Sequence, residues 1–194
     1  MLKHLRPALV STLLMTGILG LLYPLGVTGA AQLAFPHSAN GSLVKDASGK
    51  VVGSALIGQA WTGAGYLHGR PSAAGKGYDA VGSSGSNLGP TNPDLAKREA
   101  DEAVAVRKAD GGSGPVPADA VTASASGLDP HISPAYARLQ VARIAAARGA
   151  DPAEVRRVIE AHVQAPVVGF LGQPVVNVLE TNLDLDARFG KAHG

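Results

Sequence analysis

Apolar and polar positions are spread unevenly along the 194 residues. Residues 7–34 read PALVSTLLMTGILGLLYPLGVTGAAQLA and carry no charged side chain. A helix needs about 20 apolar residues to cross the hydrocarbon core of a bilayer, and this run exceeds that. In lipid a helix satisfies its own backbone hydrogen bonds, so the run predicts a transmembrane anchor. Gly17 and Gly20 are the predicted packing positions for a partner helix, with Gly26 and Gly29 also small enough for close approach. Pro24 is expected to kink the helix near its outer end or to stop it. Two readings compete: a buried helix of a soluble protein, and a cleaved signal peptide with Gly29 and Ala31 at the cleavage site. A signal's apolar region is only roughly 7–15 residues long, which favours the anchor.

Beyond residue 34 the apolar runs shorten. Residues 35–42 (FPHSANGS) read as a loop. Residues 42–45 and 51–53 flank DASGK and predict a short hairpin, whose second strand could continue through residues 54–59. Residues 66–92 (YLHGRPSAAGKGYDAVGSSGSNLGPTN) hold too much Gly and Ser for a helix and no lasting alternation for a strand. So long a loop is functional or disordered. Tyr66, Arg70, Tyr78, Asp79 and Asn87 within it favour an ordered one. Asn92-Pro93-Asp94 predicts a helix start by cap, first-turn proline and favourable charge, with the helix running to about Lys108. Lys97 with Asp101, and Arg98 with Glu102, are spaced to pair on its solvated surface. Residues 120–124 read as a short strand. A second polar loop follows (GLDPHI, residues 127–132). Ser133-Pro134 then opens a helix that Gly149 closes, with Ala135, Leu139, Ala142 and Ala146 on one face and Val141 and Ile144 on another, so that it is expected to be largely buried. Asp151-Pro152-Ala153-Glu154 predicts a capped helix with Val155, Val158 and Ile159 inward. Residues 173–178 predict a strand, and the tail from Thr181 a short helix or coil.

Composition changes this picture little. The chain has 17 Lys plus Arg against 15 Asp plus Glu. Lys3 and Arg6 precede the anchor, so 15 against 15 remain beyond it. With no basic stripe and no aromatic ladder, nucleic acid is not an expected partner. The positive residues before the anchor leave the N-terminus (residues 1–6) in the cytoplasm and residues 35–194 outside. There is no cysteine, so disulfides, thiol chemistry and Cys-ligated metals are excluded. The fold class is α+β: one transmembrane helix, then a single loop-rich domain of roughly 160 residues with short strands and about three helices.

Motifs of chemistry mostly fail on spacing. GRPSAAGKG (residues 69–77) has five residues between its glycines and Gly77 after Lys76, where a phosphate loop needs four and a hydroxyl residue. Asp129 and His131 are too few ligands for zinc, and no metal site is predicted. A Ser–His–Asp arrangement could draw on Ser72, Ser83, Ser84, Ser86, Ser124 or Ser126, but no nucleophile elbow is present. Turn and cap chemistry ahead of Ser133 is the simpler account of Asp129. His162 is expected to pack at the core edge.

Three long stretches point to a family. GQAW with GYLHGRPSAAGKGYDAVGSSGSNLGPTN, then VTASASGLDPHISPAYARLQVARIAAARG, then GFLGQPVVNVLETNL resemble the KdpC family. That family is the C subunit of the bacterial high-affinity potassium-transporting P-type ATPase. The likeness covers nearly the whole chain, anchor included; Trp61 and Leu67 stand where the family is associated with Phe. It implies a non-catalytic accessory subunit in the bacterial inner membrane, needed for assembly. Its partners would be a channel-like potassium-translocating subunit and a P-type ATP-hydrolysing subunit, besides membrane lipid. ATP and potassium ion would be bound through those partners, not by this chain. The family is also described as a catalytic chaperone raising the hydrolysing subunit's affinity for ATP; with the domain outside, that influence would pass through the partners.

Arg70, Ser72, Tyr78, Asp79, Ser83, Ser86 and Asn87 in the first loop, with Asp129 and His131 in the second, are the candidate partner-contact or loop-organising residues. Arg70 could offer its fork to a partner carboxylate, and Asn87 could satisfy buried loop backbone. The competing classes are an anchored or secreted hydrolase using a loop serine with His131, and an unpartnered envelope-binding domain.

Overall fold

A computed structural model describes residues 2–46 and 48–192. Its contacts divide the chain into two units, Met1–Leu43 and Val44–Gly194.

The first unit is dominated by one apolar helix, Leu5–Ala34, long and apolar enough to cross a membrane. At 1.5 Å per residue its 30 residues reach about 45 Å. It comprises α1 (Leu5–Met15), a π-helical stretch (Thr16–Leu22) and α2 (Tyr23–Ala34), none with a buried residue. Pro24 does not stop this helix. Proline has no N–H to give the carbonyl four residues back, that of Gly20, and its ring crowds that group. The wider π turn ahead of it, with the Tyr23 N–H bonded to the Ile18 carbonyl, accommodates both effects. Gly17 and Gly20 lie inside this π stretch. The loop expected at residues 35–42 contains a short helix, α3 (Pro36–Ala39).

The expected hairpin is formed, β1 (Leu43–Lys45) against β2 (Val51–Ser54). Its turn is organised by Asp46, whose carboxylate accepts the Ser48 and Lys50 N–H groups at 2.9 and 3.1 Å. Ala47 of that turn, like His193 and Gly194 of the tail, lies outside the described residues. β2 ends at Ser54, so its expected continuation to residue 59 is not formed. Residues 66–92 contain neither helix nor strand.

α4 (Pro93–Asp110) starts as expected, the Asn92 side chain accepting the Asp94 N–H. Lys97 pairs with Asp101 at 2.6 Å, and Val106 is its one buried residue. The strand expected at residues 120–124 is not formed. A single turn, Ala118–Ala120, stands there instead, and Asp119 is drawn to the backbone N–H and hydroxyl of Ser133.

The helix expected from Ser133 to Gly149 is broken at Gln140 into α5 (Pro134–Leu139) and α6 (Val141–Arg148). Of its two apolar faces, the one bearing Val141 and Ile144 is the inner one. Tyr136, Ala137, Gln140, Val141, Ile144 and Ala145 are buried, while Ala135, Ala142 and Ala146 are exposed. Small alanines fit either face, so they could not mark which one is inside. α7 (Pro152–Ala161) is capped by Asp151 and buries Val155, Val158 and Ile159. The tail is a full helix, α8 (Val178–Phe189), capped by the Asn177 side chain. The domain thus holds five α-helices among the described residues; the break at Gln140 and the tail helix account for the two beyond three.

A small antiparallel sheet joins the ends of these helices. β5 (Val175–Asn177) lies between β3 (His131–Ile132) and β4 (Val163–Gln164), with His131 opposite Asn177 and Val163 opposite Val176. Ile132, Tyr136, Ile144, Val155, Val158, Ile159, Val176 and Leu185 form the core, and Leu67 of the long loop belongs to it too.

Candidate functional site

Leu67 is fully buried although it lies in irregular backbone. A loop in a core leaves N–H and C=O groups that must find partners. Here side chains supply them. Asn182, buried on α8, accepts the Leu67 N–H at 2.7 Å and donates to the Leu67 carbonyl at 2.9 Å. Gln140 treats the next residue the same way, accepting the His68 N–H at 2.7 Å and donating to the His68 carbonyl at 3.1 Å. Each carboxamide stands in for a neighbouring strand. Arg143 donates to the Ala64 and Tyr66 carbonyls and pairs with Asp110 at 2.6 Å, the two side chains 9% and 3% exposed. Arg148, its side chain wholly buried, donates to the Gly65 carbonyl, pairs with Asp186 and lies 5.0 Å from the Tyr66 ring centre.

None of Gln140, Arg143, Arg148 and Asn182 was identified from sequence as a site residue. The signal present was polar residues at inward-facing positions of helices, where an apolar face should continue. Within the clamp, burial pushes the His68 pKa down, and the Arg143 charge adds to the effect. The ring is therefore neutral at pH 7. Its Nε2 lies 3.0 Å from the Gly63 carbonyl and 3.4 Å from Arg143 Nη1.

The two polar loops, apart in sequence, are brought together. Arg70 turns its fork inward, donating to Asp129 at 2.9 Å and, at about 3.4 Å, to the Thr122 carbonyl. The fork offered to a partner carboxylate is thus spent within the chain. Ser72 donates to the Gly127 carbonyl at 2.7 Å and accepts the Tyr78 N–H at 2.8 Å. The Tyr78 hydroxyl donates to the Arg70 carbonyl at 2.7 Å, and burial pushes that phenol up to about 12. Ser83 donates to the Ser126 carbonyl. Gly127, at φ +66°, makes the closest approach: a Cβ there would meet Ala74 and the Ser84 carbonyl at 2.7 Å.

Asp79 closes a local turn by accepting the Val81 N–H, and Ser86 is half-buried. Asn87 is exposed in the left-handed conformation (φ +54°), away from the buried backbone it was expected to serve. Asp129 accepts the His131 N–H with its second oxygen. The His131 ring lies 3.8 Å from that oxygen and 3.5 Å from the Asn177 amide. Ser72 and Ser83 spend their hydroxyls on backbone carbonyls, Ser84 on the Gly85 carbonyl, and Ser124 pairs with Ser126. His162, expected at the core edge, is partly exposed and lies 3.2 Å from Asp184. Burial raises the Asp184 pKa, but the hydrogen bonds from Arg188 and His162 outweigh it and hold the carboxyl below the usual range.

Between α4 and the first loop lies an open cleft of about 470 Å³, lined among others by Trp61, His68, Arg70, Tyr78, Glu102 and Tyr136. Among the described residues no three His, Asp or Glu side chains gather as a metal site. The hydroxyls of Ser72, Ser83 and Ser84 are turned onto the chain's own backbone. The arrangement makes two irregular loops into one held surface.

Comparison with known proteins gives a consistent result. The family model KdpC, described as "K+-transporting ATPase, c chain", matches residues 5–187. A protein of Caulobacter sp. (strain K31), named potassium-transporting ATPase KdpC subunit, is 62% identical over 194 residues, covering 100% of this chain and 98% of its own. Proteins of the same name from Caulobacter vibrioides (strain NA1000 / CB15N) and Beijerinckia indica are 61% and 56% identical, each over 97% of this chain and 95% and 96% of their own.

Proposed function

The chain belongs to the KdpC family, the c chain of K+-transporting ATPases, and from that premise we propose that it is a non-catalytic accessory subunit of an ATP-driven potassium uptake complex. The observation that carries this reading is the extent of the match. It runs from residue 5 to residue 187, taking in the apolar helix and the folded domain together.

In this reading Leu5–Ala34 spans the bacterial inner membrane once. Lys3 and Arg6 remain in the cytoplasm and residues 35–194 lie outside. The partners are a channel-like subunit that passes potassium and a P-type subunit that hydrolyses ATP, and both ligands stay with those partners. The chain is needed for assembly, and any influence on ATP affinity travels through the contacts it makes. The surface held by Arg70, Ser72, Tyr78, Asp79, Ser83, Asp129 and His131, with Ser86 and Asn87 beside it, is where partners are contacted. What supports this is its rigidity: a surface ordered before binding loses less entropy on docking.

The test is to extract the tagged chain in mild detergent and assay the eluate for potassium-stimulated ATPase activity. The expected outcome is co-purification of a channel-like and a P-type subunit, with activity lost when this chain is deleted. The chain arriving alone from cells that express the partners would overturn the reading.

A further inference from the structure

The cleft of about 470 Å³ beside α4 has the size of a small-molecule site. Its walls are aromatic: Trp61, Tyr78 and Tyr136 line it, with small apolar residues between them. Two of the rings are fixed from behind. Trp61 stacks at a tilt on Tyr66, the ring centres 4.8 Å apart, and the Tyr78 hydroxyl is tied to the Arg70 carbonyl at 2.7 Å.

Charge decides what such a cleft holds. His68, Arg70, Glu102 and Asp110 are its lining residues that can carry charge near pH 7. The His68 ring is neutral there, Arg70 is paired with Asp129, and Asp110 is paired with Arg143. Glu102 is half-buried and has no ion pair or hydrogen bond among the described residues. Its expected partner on α4 fails it. Lys97 and Asp101 do pair, at 2.6 Å, but Arg98 does not join Glu102, and the Arg98 Nε is itself buried without a partner. One carboxylate is therefore left unbalanced on an aromatic cleft.

Polar groups without partners stand beside it. Tyr136 is 4% exposed, yet its hydroxyl makes no hydrogen bond among the described residues. A buried phenol ordinarily has one. Burial, with the Asp110 charge added, holds that phenol above its ordinary range, so it keeps its proton at pH 7. The Trp61 Nε1 is also buried without a partner.

Aromatic faces attract cations through the ring quadrupole, and most strongly where water is excluded. An anion here would meet an unbalanced carboxylate. A metal ion would lack ligands, because among the described residues no three His, Asp or Glu side chains gather. The fitting occupant has one positive charge, an apolar body and a polar end.

We propose that this cleft binds a small organic ammonium ion, its charge against Glu102 and its apolar body against Trp61, Tyr78 and Tyr136. This goes beyond the accessory-subunit reading and does not rest on it.

Trp61 is the only tryptophan of the chain, so its fluorescence reports on this cleft. The full chain in detergent is titrated, at constant ionic strength, with choline and with the neutral alcohol in which a quaternary carbon replaces the nitrogen of choline. The expected result is a saturable fluorescence change with choline, at concentrations at least about tenfold lower than the neutral alcohol requires. Glu102→Gln should weaken choline binding about tenfold and leave the alcohol unchanged. No saturable change, equal affinity for the two compounds, or choline binding unaltered in Glu102→Gln would each overturn the proposal. An equal response to potassium chloride would assign the cleft to an inorganic cation and overturn it as well. None of these outcomes bears on whether the chain co-purifies with ATPase subunits, so the two readings fail separately.

Discussion

Residues 63–70 and residues 166–171 are both irregular backbone, yet they solve opposite problems. The first segment runs through the interior with Leu67 fully buried, and it takes its hydrogen bonds from Asn182, Gln140, Arg143 and Arg148. The second bonds to itself and leaves Val167, Val168, Phe170 and Leu171 in solvent. Irregular backbone inside a core depends on distant side chains, so its stability is a property of the tertiary fold. Irregular backbone that closes on itself asks nothing of distant side chains. Stability should therefore be sensitive to change at the first segment and indifferent at the second.

The sharpest way to break that contrast is Arg143→Met. It leaves Asp110, 3% exposed, as a buried charge without its partner. The expected loss is roughly 3–5 kcal/mol. For a domain of this size that is about 10 °C in thermal midpoint, measurable by circular dichroism of the full chain in detergent. A shift of a degree or two would mean that the clamp does not support the fold.

Asn182→Leu should come next. It preserves bulk but strands the Leu67 N–H and carbonyl together. Each unsatisfied buried group costs about 1–3 kcal/mol, so denaturant titration should find roughly 2–6 kcal/mol lost.

A smaller effect is expected from pH. The His68 pKa is lowered in the folded state, by burial first and the Arg143 charge second. The unfolded chain therefore takes up the proton more readily below about pH 6.5. The contribution is fully present above that value and is lost as pH falls from 6.5 toward the lowered folded value. Unfolding midpoints compared at pH 7.5 and 5.5 should fall in the natural chain and fall less in His68→Gln.

The smallest change belongs to the other side of the comparison. Phe170→Asp sits on a side chain 76% exposed. It should alter the stability of the isolated chain by less than about 0.5 kcal/mol. A large loss there would show that residues 166–171 pack in the free chain and that the two regions are not opposites.

How legible all this was varies by element. The helix starts at Asn92, Ser133 and Asp151 were readable because a cap acts on backbone two or three residues away. The apolar helix was readable from length and composition. The inner face of α5 and α6 was not, because alanine is small enough for either side. The two polar loops could be singled out by composition, but not their meeting: Ser72 reaches Gly127, and Arg70 reaches Asp129, across more than fifty residues.

The chain alone therefore determined what depends on neighbours in sequence: an uncharged apolar helix, the caps, the hairpin, and long stretches distinctive enough to mark a family. Only the tertiary structure decided where polar groups are spent. Gln140 and Asn182 become strand substitutes, Arg70 turns inward, and Val168 is held in a left-handed turn at φ +47°, because a buried hydrogen bond is chosen by whatever the fold places within about 3 Å of it.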